Sequence, residues 1–145
     1  MSEKQKNTLD PVSYYLGHLH RLSTIYLSKQ FADLSIGFGQ YLFLMHLYGE
    51  NGLRHEELTA RLHVDKSTTT RAITKLYEAG YVTVKQEDID KRKFRIYLTD
   101  KAIEQKKTIL KIADEWEARL VECLEPEEQK ELFRLLKKMA DNQPE

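Results

Sequence analysis

Residues 65–79 place hydroxyl and cationic side chains where one face of a helix would present them together. At about 100° per residue, Thr69, Ala72, Ile73 and Leu76 lie on one side of that helix and would face the core. The opposite side, its flanks and the amino end carry Lys66, Ser67, Thr68, Thr70, Arg71, Thr74 and Lys75. Because β-branched threonine forms helices only moderately well, so many hydroxyls indicate a contact surface rather than a choice for helix stability.

The chemistry of this face fits the major groove of double-stranded DNA. Short hydroxyl side chains let a helix approach closely while they bond to phosphates and base edges. The guanidinium of Arg71 can reach O6 and N7 of a guanine with two hydrogen bonds, whereas Lys66 and Lys75 suit phosphates better. The alternative is a polar face that only water contacts.

A second cationic group lies in the loop between two predicted strands. Residues 81–85 and 94–98 are rich in β-branched and aromatic side chains and predict an antiparallel hairpin. The connecting loop, residues 86–93, ends in the charged run Asp90, Lys91, Arg92 and Lys93. Cations of such a loop can enter a minor groove, where the potential is negative, while Asp90 pairs with a neighbouring cation and fixes the loop. The alternative is a mobile turn that water surrounds.

The elements around these two groups predict a winged helix-turn-helix. A short helix is expected over residues 56–62, with Leu58 and Leu62 on one face, and His63-Val64 would make the turn. Asp65 is a suitable N-cap for the next helix, because its carboxylate can accept amide protons of the first turn. The predicted fold class is mainly α with a small antiparallel β-hairpin (α+β), and residues 53–99 form its DNA-binding lobe.

Helices on both sides of this lobe predict a dimerisation region. A first helix is expected to start near Asp10-Pro11, with Asp10 as cap and Pro11 at the first helical position, and a second over residues 40–47. Apolar stripes mark the first helix, a long fifth helix and a sixth helix after Pro126. Their members are Leu9, Val12, Leu16, Leu19, Leu22 and Tyr26; Ile109, Ala113, Trp116, Leu120 and Leu124; and Leu132, Phe133, Leu136, Met139 and Ala140. We expect one domain over residues 1–145, whose helical parts, 9–31 and 100–141, form a homodimer; the alternative is packing within one subunit.

Composition sets the outer limits of these expectations. The chain has 145 residues, 41% of them hydrophobic, which suffices for one core. The net charge is zero, but residues 53–98 hold ten Lys and Arg against seven Asp and Glu, so the predicted lobe is basic. A single cysteine, no leader-like start and no apolar run of roughly 18 residues indicate a cytoplasmic protein without contact to membranes.

Four segments together resemble the signature of the MarR family of bacterial and archaeal transcription regulators. These segments are residues 62–71, 76–82 (Leu-Tyr-Glu-Ala-Gly-Tyr-Val), 90–92 (Asp-Lys-Arg) and 98–102 (Leu-Thr-Asp-Lys-Ala). The resemblance implies a homodimeric winged-helix protein that binds a near-palindromic operator and usually represses until a small molecule or oxidant releases it. A winged-helix module that binds proteins without DNA is the alternative, although Ser67, Arg71 and Lys75 disfavour it.

The family's recognition helix falls on Ser67, Thr68, Thr70 and Arg71, and its wing motif on Asp90 and Arg92. The chain departs from the family pattern at three positions. Lys91, Val84 and Ala102 stand where members usually have Arg, Arg and Gly, respectively. Because lysine lacks the planar fork of arginine, the change at Lys91 puts the wing's Asp–Arg pairing in question.

The resemblance also suggests a small aromatic or phenolic effector, bound in a crevice beside the dimer helices. Side chains of suitable character are Tyr14, Tyr15, His18, Arg21, Phe43 and His46. Packing in the core is the alternative for these residues. Cys123 lies far from the first helix, where peroxide sensors of the family carry their cysteine, and is expected to be a buried structural thiol.

No pattern in the chain predicts an enzyme. The sequence has no phosphate-binding glycine loop, no HExxH helix and no spacing typical of a Ser-His-Asp triad. His18 and His20 are two residues apart and would face different ways on a helix, so a metal site is not expected. We therefore expect neither catalysis nor a bound cofactor.

Overall fold

Six α-helices and a three-stranded antiparallel sheet make up residues 11–144, the part of the chain that the computed structural model describes. The helices are α1 (Val12–Phe31), α2 (Phe38–Gly49), α3 (His55–Leu62), α4 (Lys66–Glu78), α5 (Asp100–Val121) and α6 (Pro126–Asp141). The strands are β1 (Leu53–Arg54), β2 (Val82–Gln86) and β3 (Phe94–Leu98). The mainly helical fold class with a winged helix-turn-helix lobe is confirmed.

The sheet has the order β1-β3-β2, so the predicted hairpin is extended by a strand that the sequence did not predict. Leu53 pairs with Ile96 on one side of β3, and Val84 pairs with Ile96 on the other. A strand of two residues has no periodicity to reveal it. β2 begins one residue later than expected because the amide of Tyr81 donates to the Leu76 carbonyl and closes α4, with Gly80 at φ 84°.

The core lies where α1, α2 and α5 meet the winged lobe. Its largest buried side chains come from every part of the fold except α6 and include Leu27, Phe31, Leu44, Leu47, Leu58, Leu76, Tyr81, Ile96 and Ile109. Full burial of a leucine or isoleucine contributes about 1.5–3 kcal/mol. Two tyrosines add cross-links: the buried Tyr81 donates to the Leu34 carbonyl and the half-buried Tyr48 donates to the Ala102 carbonyl, each at 2.6 Å.

Two helix starts differ from the sequence expectation. α1 begins at Val12, and Pro11 is the extended N-cap rather than the first helical residue; Asp10 and Leu9 lie outside the described residues. α2 begins at Phe38 rather than residue 40 because the Gln40 side chain accepts the Gly37 amide at 2.8 Å and caps the helix earlier.

α1 and α5 pack through an aromatic contact. Trp116 stacks on Tyr26 with ring centroids 4.8 Å apart, and its indole nitrogen donates to the Ser23 hydroxyl at 3.0 Å. The expectation of a buried Cys123 is wrong: the thiol is exposed, because α5 ends at Val121 and Cys123 lies in the turn before α6. Leu124, the last member of the α5 stripe, lies in the same turn.

Candidate nucleic-acid interface

The turn between α3 and α4 fixes the direction of the predicted recognition helix. α3 ends at His63, whose backbone is left-handed (φ 53°), and the Val64 amide donates to the Thr59 carbonyl at 3.3 Å. Asp65 is then the N-cap of α4 as predicted, because its carboxylate accepts the Thr68 amide at 2.6 Å. That hydrogen bond lowers the pKa of Asp65 and keeps the cap charged at neutral pH.

α4 divides into a buried and an exposed side as the helical pattern predicted. Thr69, Ala72, Ile73 and Leu76 are buried against the core. The seven residues predicted to meet DNA lie on the remaining surface, where Thr68 is half-buried and Lys66, Ser67, Thr70, Arg71, Thr74 and Lys75 are exposed. The structure therefore brings all seven to one side of the lobe.

Hydrogen bonds within the protein use three of the four threonine hydroxyls on α4. The buried Thr69 hydroxyl lies 2.8 Å from that of Thr59 on α3. Thr68 accepts from the Arg71 guanidinium at 3.3 Å. The threonine-rich sequence was interpreted as a contact surface, but part of it joins α4 to α3 and to its own cap.

A third interaction reaches α4 from His55, which no sequence pattern marked as part of this face. Its Nε2 lies 3.0 Å from Oγ1 of Thr70. Burial, and then the charge of Lys66, lowers the pKa of His55, which favours the neutral imidazole. A histidine at the first position of a helix is an ordinary feature in sequence, and only the packing of α3 against α4 reveals this contact.

The loop of residues 86–93, called the wing from here on, is held by Asp90. Its carboxylate accepts from Nε of Arg92 at 3.2 Å and from the Arg92 amide at 3.1 Å. These bonds lower the pKa of Asp90. The predicted pairing of Asp90 with a neighbouring cation is confirmed. The partner is the guanidinium of Arg92 rather than the ammonium group of Lys91. The Arg92 side chain is 91% exposed, so it reaches outward while one edge stays bound.

The rest of the wing is closed by backbone contacts. The Lys93 amide donates to the Asp90 carbonyl at 3.0 Å, and the Glu87 amide donates to the Lys93 carbonyl at 2.9 Å. The Gln86 side chain donates to the carbonyl of Lys91. Lys91 is exposed and Lys93 is half-buried. These bonds give the backbone of the wing a defined shape.

Glu87 connects the base of the wing to the other two strands. Arg54 and Arg95 are opposite each other in the pairing of β1 with β3, which would place two like charges side by side. Glu87 lies between them, with Oε1 2.7 Å from Nε of Arg54 and 2.9 Å from Nε of Arg95. The hydrogen bond from Arg54 lowers the pKa of Glu87, with Arg95 adding to the effect. This cluster could not be predicted from the sequence because it requires β1.

A cleft of about 250 Å³ joins the amino end of α4 to the wing. Its lining is mostly cationic or polar and comprises Arg54, His55, Glu56, Lys66, Arg92, Lys93 and Phe94. The cleft shows that the two groups predicted separately from sequence are adjacent parts of one basic surface.

The six residues predicted to bind an effector are not brought together within the subunit. Tyr14, Tyr15, His18 and Arg21 are exposed along α1, whereas Phe43 is buried in the core. His46 lines a separate open cleft of about 390 Å³ with Met45, Gly49, Glu50 and Arg61. Among residues 11–144 there is no cluster of metal-ligating side chains and no helix long and apolar enough to cross a membrane.

Comparison with known proteins identifies the family of this chain. The MarR family model matches residues 39–94, which include α3, α4 and the wing. The chain is 36% identical to a MarR transcriptional regulator from Methanosarcina mazei Go1, with a TM-score of 0.85, 90% of this chain covered and 94% of that chain covered. The chain belongs to the MarR family. This MarR-family chain is thus a DNA-binding transcription regulator, as its resemblance implied.

Two further relatives extend the comparison. The HTH-type transcriptional regulator BilQ of Clostridium symbiosum is 25% identical over 128 residues, which cover 88% of this chain and 89% of BilQ. A MarR-family transcriptional regulator from Listeria monocytogenes, solved in complex with 26-mer DNA, is 23% identical with a TM-score of 0.85, covering 92% of this chain and 89% of that chain. At this identity the second likeness shows the shared fold.

Proposed function

We propose that this MarR-family regulator binds a two-fold symmetric operator as a homodimer, with α4 in the major groove and the wing in the adjacent minor groove. The observation that carries the proposal is the cleft in which Lys66, at the amino end of the exposed face of α4, lies beside Arg92 and Lys93 of the wing. The Listeria monocytogenes regulator with the same fold was solved with DNA, which supports this use of the lobe.

In this proposal, different side chains of α4 contact bases and phosphates. Arg71 is exposed and suits two hydrogen bonds to a guanine, while Lys66 and Lys75 suit phosphates. The exposed hydroxyls of Ser67 and Thr74 have no hydrogen-bond partner among the described residues and can donate to phosphate oxygens. In the wing, Arg92 enters the minor groove with its guanidinium oriented by Asp90.

Exposed apolar faces on two helices support the homodimer. α1 exposes Val12, Leu16, Leu19, Leu22 and Ile25, and α6 exposes Leu132, Phe133, Leu135, Leu136 and Met139. No residue of α6 is buried within the described part of the chain. Apolar surface on this scale indicates a partner, and a second copy would place two recognition helices about 34 Å apart, or a multiple of that distance.

We further propose that the protein acts in the cytoplasm as a repressor that a small aromatic or phenolic molecule releases, without catalytic chemistry of its own. In the homodimer, the exposed Tyr14, Tyr15, His18 and Arg21 would lie beside the second copy, where an effector crevice can form. Screening phenolic acids by thermal shift tests this part, with stabilisation expected for at least one compound. A flat response across a broad panel contradicts the effector proposal and leaves DNA binding unaffected.

A gel-shift titration at several salt concentrations tests the central proposal. The probe is the DNA upstream of the protein's own gene, with a shuffled duplex of equal length as control. Affinity for the upstream DNA should exceed that for the control and should fall steeply as salt rises, because cations that bind phosphates release counterions. Light scattering at micromolar concentration should give the mass of a dimer. Equal affinity for both duplexes, or a monomer in solution, contradicts the proposal.

A further inference from the structure

The hydroxyl of Thr70 occupies a different position from the other exposed hydroxyls of α4. Oγ1 of Thr70 lies 2.9 Å from the Lys66 carbonyl, to which it donates, and 3.0 Å from Nε2 of His55. The residue is nevertheless exposed on the face that meets DNA in the proposed function. The Thr70 hydroxyl therefore has two hydrogen-bond partners within the protein, while the residue remains exposed to an outside partner.

In either tautomer of His55, the Thr70 hydroxyl donates its proton to a group within the protein. If Nε2 carries the imidazole proton, it donates to Thr70, whose own proton goes to the Lys66 carbonyl. If Nε2 is unprotonated, it can accept the Thr70 proton instead. A hydroxyl has one proton and two lone pairs, so in both cases Thr70 has no proton for an outside partner and at least one lone pair to offer.

This proton count selects the groups on DNA that Thr70 can bind. Phosphate oxygens, guanine O6 and N7, and thymine O4 are all acceptors and need a donor. The donors on base edges in the major groove are the amino groups N6 of adenine and N4 of cytosine. We infer that Thr70 is a specificity-determining residue that accepts a hydrogen bond from one of these amino groups, and that His55 is the positioning residue that holds its hydroxyl.

The inference rests on the proposed docking of α4 and distinguishes Thr70 from its neighbours on the same face. Ser67 and Thr74 keep their protons because no group in the described chain accepts them. They can bind phosphates of any sequence, whereas Thr70 cannot donate to a phosphate without giving up an internal bond. His55 acts from α3, so the reading of a base depends on the contact between the two helices.

Deletion of single amino groups from the DNA tests this assignment. Duplexes of roughly 30 base pairs, long enough for two half-sites, are first recovered from a random-sequence pool with the wild-type dimer. Each adenine or cytosine of the recovered site is then replaced by an analogue without the amino group. Wild type should lose about fivefold to tenfold in affinity at one position per half-site, the value of one hydrogen bond.

Variants on α4 separate this role from a merely structural one. Thr70→Val should be insensitive to the amino deletion at that position, and Thr70→Ser should restore the sensitivity. Thr74→Val is the matched control one turn further along, and it should lower affinity for all duplexes alike while the amino dependence stays. Tolerance of every amino deletion by wild type, or an unchanged dependence in Thr70→Val, overturns the inference.

His55→Ala tests the positioning role. Without the imidazole, the Lys66 carbonyl is the one remaining partner of the Thr70 hydroxyl within the described chain, so the hydroxyl can turn away from that carbonyl and donate outward. The recovered sequences should then admit thymine or guanine at the position that Thr70 reads. An unchanged base preference overturns the role of His55. A pool from which wild type enriches no sequence contradicts the proposed function instead, because the test of Thr70 begins from an enriched site.

Discussion

α4 and the wing present cations on the same surface, but different interactions hold them in place. α4 is oriented by four buried residues, its Asp65 cap and hydroxyl contacts to α3. The wing is positioned by charge, through the Asp90–Arg92 pair at its tip and Glu87 between two arginines at its base. In the proposed function, base reading therefore falls to the element that core packing holds, whereas the wing contributes a cation oriented by a carboxylate.

The largest expected effect is the loss of stability when a core residue of α4 is truncated. Truncation of an apolar residue in the wing should cause no such loss. Leu76 is only 1% exposed, so Leu76→Ala should lower the free energy of unfolding by about 2–5 kcal/mol through lost burial and a cavity. Ile89 in the wing is 99% exposed, and Ile89→Ala should leave stability unchanged. Urea denaturation of both variants measures the contrast. Similar losses would show that the wing also packs against the core.

Arg71 should matter more for sequence discrimination than Lys75. Arg71→Ala should weaken operator binding by about 1–3 kcal/mol and relax the preference at one position per half-site. Lys75→Ala should weaken binding to all sequences alike and reduce the salt slope by about one. Fluorescence anisotropy with operator and shuffled DNA measures both. Equal small losses in the two variants would contradict this division along α4.

Asp90 should contribute to DNA binding only through Arg92. Asp90→Ala should lower operator affinity a few-fold, because the exposed guanidinium of Arg92 loses the carboxylate that orients it. In an Arg92→Ala background, the same change should be neutral or slightly favourable, since it then removes only a negative charge near phosphates. A double-mutant cycle by anisotropy measures this coupling. Additive losses would mean that Asp90 has a separate role.

The smallest effect concerns pH and the base of the wing. The pKa of Glu87 is held below its ordinary value of 4.5 by Arg54 and Arg95. The folded state therefore releases its proton more readily than the unfolded chain, and the stabilisation is present above pH 4.5 and lost as the pH falls through the folded pKa. Glu87→Gln should be less stable than wild type at pH 7, with the difference shrinking at acidic pH. Urea titrations across this range measure it, and a constant difference would rule out the charge effect.

The sequence predicted α4 well because its buried side recurs with helical period and its cap has a recognisable chemistry. Thr69, Ala72, Ile73 and Leu76 needed only helical geometry to be assigned to the core. The pairing of Asp90 was also predictable, since its partner is two residues away. In each case the interaction is local or periodic.

Contacts between distant segments were not predictable in this way. His55 meets Thr70 across the turn, and Glu87 meets Arg54 only because the two-residue β1 brings that arginine to the sheet. Cys123 was expected to be buried on the assumption that α5 continued past it, but the helix ends two residues earlier. The sequence therefore predicted the exposed, basic character of the candidate DNA-binding surface, while the interactions that orient its side chains could be seen only in the fold.

The exposed turn after α5 has a practical consequence. Cys123 is the single cysteine of the chain, and its thiol is accessible in that turn, beyond the winged lobe. A maleimide dye or a nitroxide would therefore attach at one position per subunit without any prior substitution. In a two-fold symmetric assembly, the label pair would measure one intersubunit distance, and its change on adding DNA or an effector would report how the helical ends of the two copies move.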